Sequence, residues 1–264
     1  MQIIKIKAKS IYTKSKIPGV DYVVNQYVGC QFGCKYCYAR FLCKWKSHGE
    51  WGSWVEVKLN APELARKRVY GEILMSSVSD PYQPIEVELK LTRRILHAMN
   101  KRNRLRILTK SPLVLRDADL FKSFKDIEVG LTINSFEGQE KKLIEPLTPI
   151  QSSRINALKQ LKDEGIRNYA FVSPIIPGIT DVEAIIRETR DFVDYYFFEV
   201  LNLRAAGKEF TRILAENFPE SYKTLENEER FWTFIKELTE TIRRFDIKTG
   251  GIEVHKKGWE LIEL

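Results

Sequence analysis

The sequence predicts an α/β fold: a partial (βα)6 barrel of the TIM-like kind, followed by a C-terminal helical extension. Three observations support this. Six short runs rich in β-branched and aromatic residues are nearly continuous in apolar side chains, as strands covered on both faces require. Helix-length amphipathic stretches separate them. The turns after the strands are polar or rich in Gly and Pro, which suits the active-site end of a βα array.

Residues 1–20 open with MQIIKIKAKS, in which apolar and basic residues alternate, and are read as a basic N-terminal strand or arm. DYVVNQYV (21–28) is the first barrel strand and runs into GCQFGCKYCYAR (29–40), which holds three of the four cysteines. GEILMSSVS (71–79) is the second strand, followed by a helix through ELKLTRRILHAMNK (88–101). LRILTK (105–110) is the third, and in SPLVLRDADLFKSF (111–124) the pair Ser111-Pro112 marks a helix start. IEVGLTIN (127–134) is the fourth strand. In SSRINALKQLKDEG (152–165), Ile155, Leu158 and Leu161 share one face and Gly165 is the expected C-cap. NYAFVSPII (168–176) is the fifth strand, TDVEAIIRETRDFV (180–193) a helix opened by a Thr or Asp cap, and YYFFEVLNL (195–203) the sixth strand. Residues 21–205 therefore form the barrel and 206–264 the extension, with charged helices over 208–246 and room for a final strand in GGIEVHKKGWELIEL.

A chain of 264 residues, 44% hydrophobic and 30% charged, can bury one large core. No run approaches the roughly 20 apolar residues of a membrane span, and the first residues lack a signal-peptide apolar core. A cytoplasmic location is expected. The net charge of +8 is unevenly placed: residues 1–70 carry 13 Lys/Arg against 4 Asp/Glu, and the remainder 30 against 31. Such a surplus is either a footprint for a polyanion or a solvated basic surface.

The cysteines are spaced Cys30–x3–Cys34–x2–Cys37. Reduced surroundings and the odd number tell against disulfides. Structural zinc takes two separated ligand pairs. Here His48, His97 and His255 stand alone, and Cys43 falls in the helix expected after the loop. Three thiolates on a tight loop suit a 4Fe–4S cluster with one iron left open, with zinc as the alternative.

With an aromatic, Tyr36, before the last cysteine, this pattern resembles the signature of the radical S-adenosylmethionine superfamily, and its place after the first strand of a βα array matches that superfamily's architecture. The cysteine loop, WGSWVEVKLNAPE (51–63), SVSDPYQPIE (77–86), LTKSPLVLRD (108–117) and SPIIPGITD (173–181) are together similar to the spore photoproduct lyase-like branch, over about residues 20–205. The resemblance implies that Cys30, Cys34 and Cys37 bind a 4Fe–4S cluster, whose open iron chelates the methionine amine and carboxylate of S-adenosylmethionine. Reductive cleavage then gives a 5′-deoxyadenosyl radical that abstracts a substrate hydrogen. It also implies an electron donor of the flavodoxin or ferredoxin type.

Carried over residue by residue, Ser79 and Lys110 match the positions that hold the cofactor's carboxylate. A cation just past a strand end suits that task. Thr132 and Asn134 would donate to the ribose or methionyl group, and Tyr36 and the SPIIPG turn would lie against the adenine. Tyr38 matches a tyrosine that takes part in the lyase reaction. Ser77 stands where the lyase has a hydrogen-returning cysteine, so an identical reaction is not expected.

Nucleic acid, as a DNA lesion or an RNA nucleoside, is the expected substrate. A small metabolite or peptide is one alternative, and a non-catalytic metal-cluster protein another. Several residues carry two readings each. Trp45, Trp51 and Trp54 either stack on bases or pack a lid. Asp80 and Tyr82 either meet substrate or build a turn. Lys58 and Asn60 either face the site or cap the helix near Pro62. Arg204 either pairs with an anionic group or lies on the surface.

Overall fold

The computed structural model describes residues 1–264. In chain order its elements are β1 (Gln2–Ile6), β2 (Tyr12–Lys14), β3 (Tyr22–Val24), β4 (Tyr27–Val28), β5 (Trp54–Lys58), α1 (Ala61–Ala65), β6 (Glu72–Met75), α2 (Glu86–Leu89), α3 (Leu91–Ala98), β7 (Arg104–Thr109), α4 (Ala118–Phe121) and β8 (Asp126–Ile133). There follow α5 (Gly138–Ile144), α6 (Gln151–Asp163), β9 (Asn168–Ile175), α7 (Val182–Thr189), β10 (Tyr196–Val200), α8 (Leu203–Asn217), α9 (Pro219–Glu226), α10 (Glu228–Arg243), β11 (Thr249–Val254) and β12 (Glu260–Ile262). Short 3₁₀ helices occupy Tyr38–Lys44 and Pro112–Asp117. No helix is long and apolar enough to cross a membrane.

The main sheet has the order β12-β11-β10-β9-β8-β7-β6-β3-β2, and β3 through β11 pair in parallel. It curves as a partial barrel without closing. Each strand shows the sheet two faces. On β7, Leu105, Ile107 and Thr109 are buried beneath the helices, whereas Arg104 and Arg106 point into the barrel and are only half-buried. There they meet the carboxylates of neighbouring strands: Arg106 lies 2.8 Å from Glu72, and Arg104 3.0 Å from Glu128. Tyr195 donates to Glu128 at 2.6 Å. Above this charged floor comes an aromatic layer. A Cβ at Gly130 would lie 2.2 Å from the Tyr169 ring, and one at Gly250 2.1 Å from Phe197, so both positions require glycine.

Two features differ from the sequence expectation. The run 21–28 is not one strand. Asn25 and Gln26 break it, and their amides replace ladder bonds: Asn25 accepts from Ser77 N at 2.8 Å, and Gln26 donates to Thr92 Oγ1 at 2.8 Å. The chain then leaves the main sheet, and β4 pairs antiparallel with β5 in a second, three-stranded sheet of order β1-β5-β4. The extension is also more than helical. After α10 the chain returns to the barrel, β11 pairs in parallel with β10, and β12 folds back antiparallel. The barrel therefore has a seventh parallel strand beyond the six expected.

Beneath the loop after β6, Arg116 lies between two fully buried carboxylates, 2.6 Å from Glu86 and 2.8 Å from Asp117. Arg93 and the Tyr82 hydroxyl also donate to Asp117, at 2.9 and 3.1 Å. Removing one partner of such a cluster strands the others' charge in low dielectric. Asp117→Ala is therefore expected to lower the unfolding free energy by about 3–5 kcal/mol, read from the denaturation midpoint at unchanged slope.

Candidate active site at the strand ends

The cysteine loop starts where β4 ends. Gly29 has φ +89°, and a Cβ there would lie 2.6 Å from the Trp54 carbonyl oxygen. Three tight turns follow, closed by Gly33 N to Cys30 O, Cys37 N to Cys34 O and Arg40 N to Cys37 O, each at 3.2 Å. They coil the loop so that Cys30, Cys34 and Cys37 gather against Phe32, Tyr36 and Trp51. All the cysteines are free. Burial pushes Cys30 up to about 12, and raises Cys34 and Cys37 as well. Thiols so placed take the thiolate form when an adjacent metal compensates for the desolvation.

The donor set bears on which metal. Cys30, Cys34 and Cys37 are packed together with Phe32, Tyr36 and Trp51 and with no fourth cysteine or histidine. A closed structural zinc site takes four protein ligands, whereas three thiolates suit a cluster with one iron left open. Cys43 lies half-buried on the 3₁₀ helix Tyr38–Lys44, outside the packed group.

Beside the loop stands a group built around Glu145, which the sequence reading did not single out. Its carboxylate is fully buried and meets Arg154 at 2.7 Å, Thr148 Oγ1 at 3.0 Å, Asn134 Nδ2 at 2.9 Å and the Tyr36 hydroxyl. Burial works to raise its pKa, but Arg154 and then Lys110 outweigh it and hold the group down at about 2. Lys110 Nζ lies 3.8 Å from Glu145 and 5.7 Å from the centroid of the Tyr36 ring. Burial would lower its pKa, but the Glu145 charge more than offsets this, so the amine stays protonated. Its Nζ makes no hydrogen bond to the protein. A half-buried ammonium whose three donors make no hydrogen bond to the protein fits a carboxylate ligand.

The segment after β6 is anchored by Asp80, which accepts from Thr109 Oγ1 at 2.6 Å and from the backbone N–H groups of Lys110 and Tyr82 at 2.8 Å. Asp80 and Tyr82 are thus buried turn builders that hold Lys110 in place, not groups facing a substrate. Ser79 Oγ donates to the Tyr27 carbonyl at 3.2 Å. Thr132 sits near the end of β8 on the barrel face, two residues beyond Gly130. Asn134 uses its amide on Glu145 and its oxygen on Phe136 N.

Tyr38 and Ser77 come together. The Tyr38 hydroxyl donates to the Ser77 carbonyl, while Asn25 Nδ2 donates to Ser77 Oγ at 3.1 Å. Tyr38 as a whole is about half exposed. Burial, then the charges of Cys37 and Glu199, raise its pKa. Glu199, the only charged residue of β10, accepts from Ser173 Oγ at 2.7 Å and meets His255 Nε2 at 3.1 Å. That bond raises the His255 pKa against the opposing effect of burial.

The remaining candidates sort plainly. Trp54 is buried, Trp51 packs on the cysteine loop, and only Trp45 is exposed. Asn60 bonds both backbone groups of Ala8 at 2.9 Å and so ties down the N-terminal arm instead of capping α1. Lys58 is half-buried on the second sheet, away from the Lys110 group. Arg204 is exposed and unpaired. The basic surplus is spread: Lys35, Arg40, Lys44 and Lys46 lie on the cysteine loop and on or just past the 3₁₀ helix after it, Lys5 lies on β1 with Lys7 and Lys9 just beyond, and Lys14 and Lys16 lie by the start of β3.

The family model described as the Radical SAM superfamily matches residues 24–192. The chain is 57% identical over 256 residues to an uncharacterized protein of Methanocaldococcus jannaschii, covering 97% of this chain and 98% of that one. It is 28% identical over 217 residues to an uncharacterized protein of Acidianus two-tailed virus, covering 73% and 71%. Among solved structures it is similar to spore photoproduct lyase complexed with dinucleoside spore photoproduct, with a TM-score of 0.65, 18% identity, and 95% and 81% of the two chains covered. A mutant of that lyase with bound AdoMet and the dinucleoside has the same TM-score at 17% identity and the same coverage. At these identities the likeness is one of fold, and it spans the extension as well as the barrel.

Glu145→Gln tests the network. With its anion gone, Arg154 keeps a buried charge without its ion-pair partner. Stability is expected to fall by about 3–5 kcal/mol, measured by chemical denaturation of the metal-free protein.

Proposed function

The chain belongs to the radical S-adenosylmethionine superfamily, and from that premise we propose that it abstracts a hydrogen atom from a nucleic-acid substrate, either a DNA lesion or an RNA nucleoside. One observation carries the catalytic part: a half-buried ammonium, Lys110, with no hydrogen bond to the protein, held at the strand ends beside a loop of three free cysteines, two of them buried and Cys37 half-buried. When bound, a 4Fe–4S cluster and S-adenosylmethionine supply an electron and a 5′-deoxyadenosyl radical, with a flavodoxin- or ferredoxin-type protein as external reductant.

Each side chain then has a definite task. Cys30, Cys34 and Cys37 hold the cluster, and Phe32 and Trp51 keep water from it. Lys110 receives the methionine carboxylate, with the Ser79 and Thr132 hydroxyls as neutral donors. Glu145 has a positioning role: it fixes Lys110, Tyr36 and Asn134 relative to one another. Tyr38, bonded to the Ser77 carbonyl, is the hydrogen relay nearest the loop. Ser77 does not serve, because an alcohol O–H is too strong a bond to give its hydrogen to a carbon radical. The substrate class is supported by the exposed basic side chains of residues 1–70 that make no ion pair, Lys44 among them, and by the dinucleoside in the structurally similar lyase.

Anaerobic reconstitution with iron and sulfide, then dithionite and S-adenosylmethionine, should yield 5′-deoxyadenosine. A loaded protein that forms none would refute the enzyme reading. Lys110→Ala should weaken S-adenosylmethionine binding roughly tenfold or more, as loss of a charged hydrogen bond requires, and full retention of binding would remove Lys110 from this role. Tyr38→Phe should keep cofactor cleavage and lose substrate turnover; unchanged turnover would exclude the relay. Oligonucleotide affinity should fall as salt rises, and a salt-independent affinity would point instead to a small metabolite or peptide.

A further inference from the structure

Immediately after Cys37, the 3₁₀ helix Tyr38–Lys44 and its cap Trp45 present three large aromatic side chains to solvent: Tyr38 is 51% exposed, Phe41 46% and Trp45 78%. The other side of the segment is packed, with Ala39 buried and Leu42 and Cys43 half-buried. Both ends are fastened. Arg40 pairs with Glu209 of α8, and Lys46 pairs with Glu56 of β5 at 2.7 Å. The aromatic row is therefore a fixed feature of the surface.

Its direction is set by those anchors. Tyr38 lies at the barrel mouth, bonded to Ser77 and near Glu199. The far end, Trp45 and Lys46, lies against the second sheet. Lys44 is exposed and makes no ion pair. The row thus runs from the mouth, where Glu199 meets His255 and Glu253 lies alongside on β11, past the free cation of Lys44. On a 3₁₀ helix residues three apart share a face and the rise is about 2 Å per residue, so Phe41 stands about 6 Å beyond Tyr38, with Lys44 next in line and Trp45 at the cap. That step is roughly twice the 3.4 Å rise per nucleotide of a stacked strand, and so suits bases that are drawn apart.

We infer that Phe41 and Trp45 form a stacking rail for an unstacked, single-stranded nucleic acid, which runs from the mouth at Tyr38 past the free cation of Lys44. The inference rests on the nucleic-acid reading above and narrows it from nucleic acid in general to single strands or unwound segments. Stacked aromatics with adjacent cations are what such strands require, because every base offers a π-face and every linkage a charge. The acidic groups at the mouth keep phosphates away from it and leave that space to a base.

The test uses the full-length, cluster-loaded protein under anaerobic conditions, with fluorescence anisotropy of a labelled short DNA or RNA strand and of the matching duplex. Single strands should bind more tightly than duplex. Phe41→Ala and Trp45→Ala should each weaken single-strand binding by about tenfold without changing the salt slope, and Trp45→Phe should restore most of the loss. Lys44→Ala should instead flatten the slope by about 0.7 for one lost phosphate contact. Formation of 5′-deoxyadenosine without oligonucleotide should be unaffected in all four variants.

Unchanged affinity in Phe41→Ala and Trp45→Ala would overturn the rail, as would equal loss of duplex binding. A dimer in sedimentation that Trp45→Ala dissolves would overturn it too, since the row would then be covered by a second copy. If oligonucleotide affinity ignores these variants while 5′-deoxyadenosine forms, the rail fails and the enzyme reading stands. If stacking losses appear but no 5′-deoxyadenosine forms, the reverse holds.

Discussion

Glu145 is the group on which the site depends. Its carboxylate is fully buried, and it is contacted from four separate segments: Tyr36 on the cysteine loop, Lys110 after β7, Asn134 after β8, and Arg154 on α6. An ion so placed loses most of its hydration, and only close, well-directed partners offset that cost. The partners are therefore held as firmly as the carboxylate. Because they belong to different strands and to the metal loop, one buried charge fixes the cysteine loop relative to the strand ends. Arg154 carries the balancing cation and is itself 2% exposed. This leaves Lys110 as a second cation beside a single carboxylate, with its donors free for another anion.

The barrel interior is graded along its axis. At the bottom Glu72, Arg104, Arg106 and Glu128 neutralise one another. In the middle Tyr169, Tyr195 and Phe197 pack edge to face or stacked, at 5.2–6.0 Å between centroids. At the top Ser173, Glu199 and His255 meet next to Tyr38. The strand-end layer is also where the cysteine loop and Lys110 lie, while the lower layers are closed by side chains, with Arg104 Nε, Arg106 Nε and one Glu72 oxygen buried there without a hydrogen-bond partner.

Most of this frame was legible in the sequence. Apolar runs such as NYAFVSPII and alternating helices specify a parallel sheet because they allow few other arrangements, and each expected barrel strand after the first lies within four residues of its observed bounds. The first strand failed for a local reason: Asn25 and Gln26 supply side-chain hydrogen bonds that compete with the ladder, and the run's apolar flanks hid them. β11 was visible only as a possible terminal strand, because its neighbour β10 lies three helices earlier in sequence. The cysteines announce themselves by spacing, and Lys110 by its place after a strand. Glu145 and Arg154 had no such signal, since no periodicity links a loop glutamate to an arginine on the following helix. Glu199 did have one: it is a lone charge within YYFFEV, pointing into a barrel.

Ser77, at the position where the lyase-like resemblance implies a cysteine, has a definite structural part in this setting. Ser77 is clamped by Asn25 at its N–H and at its hydroxyl, at 2.8 and 3.1 Å, and its carbonyl receives the Tyr38 hydroxyl. Every polar group of the residue is engaged in holding the segment after β6 against β3 and the cysteine loop. A side chain fixed in this way presents a neighbour and does not itself exchange hydrogen. The neighbour presented is Tyr38, whose ring opens to solvent at the head of Phe41 and Trp45. On the proposed reading, position 77 acts as support and not as donor, and hydrogen return falls to the residue that lies between the cluster loop and the surface on which a strand would rest.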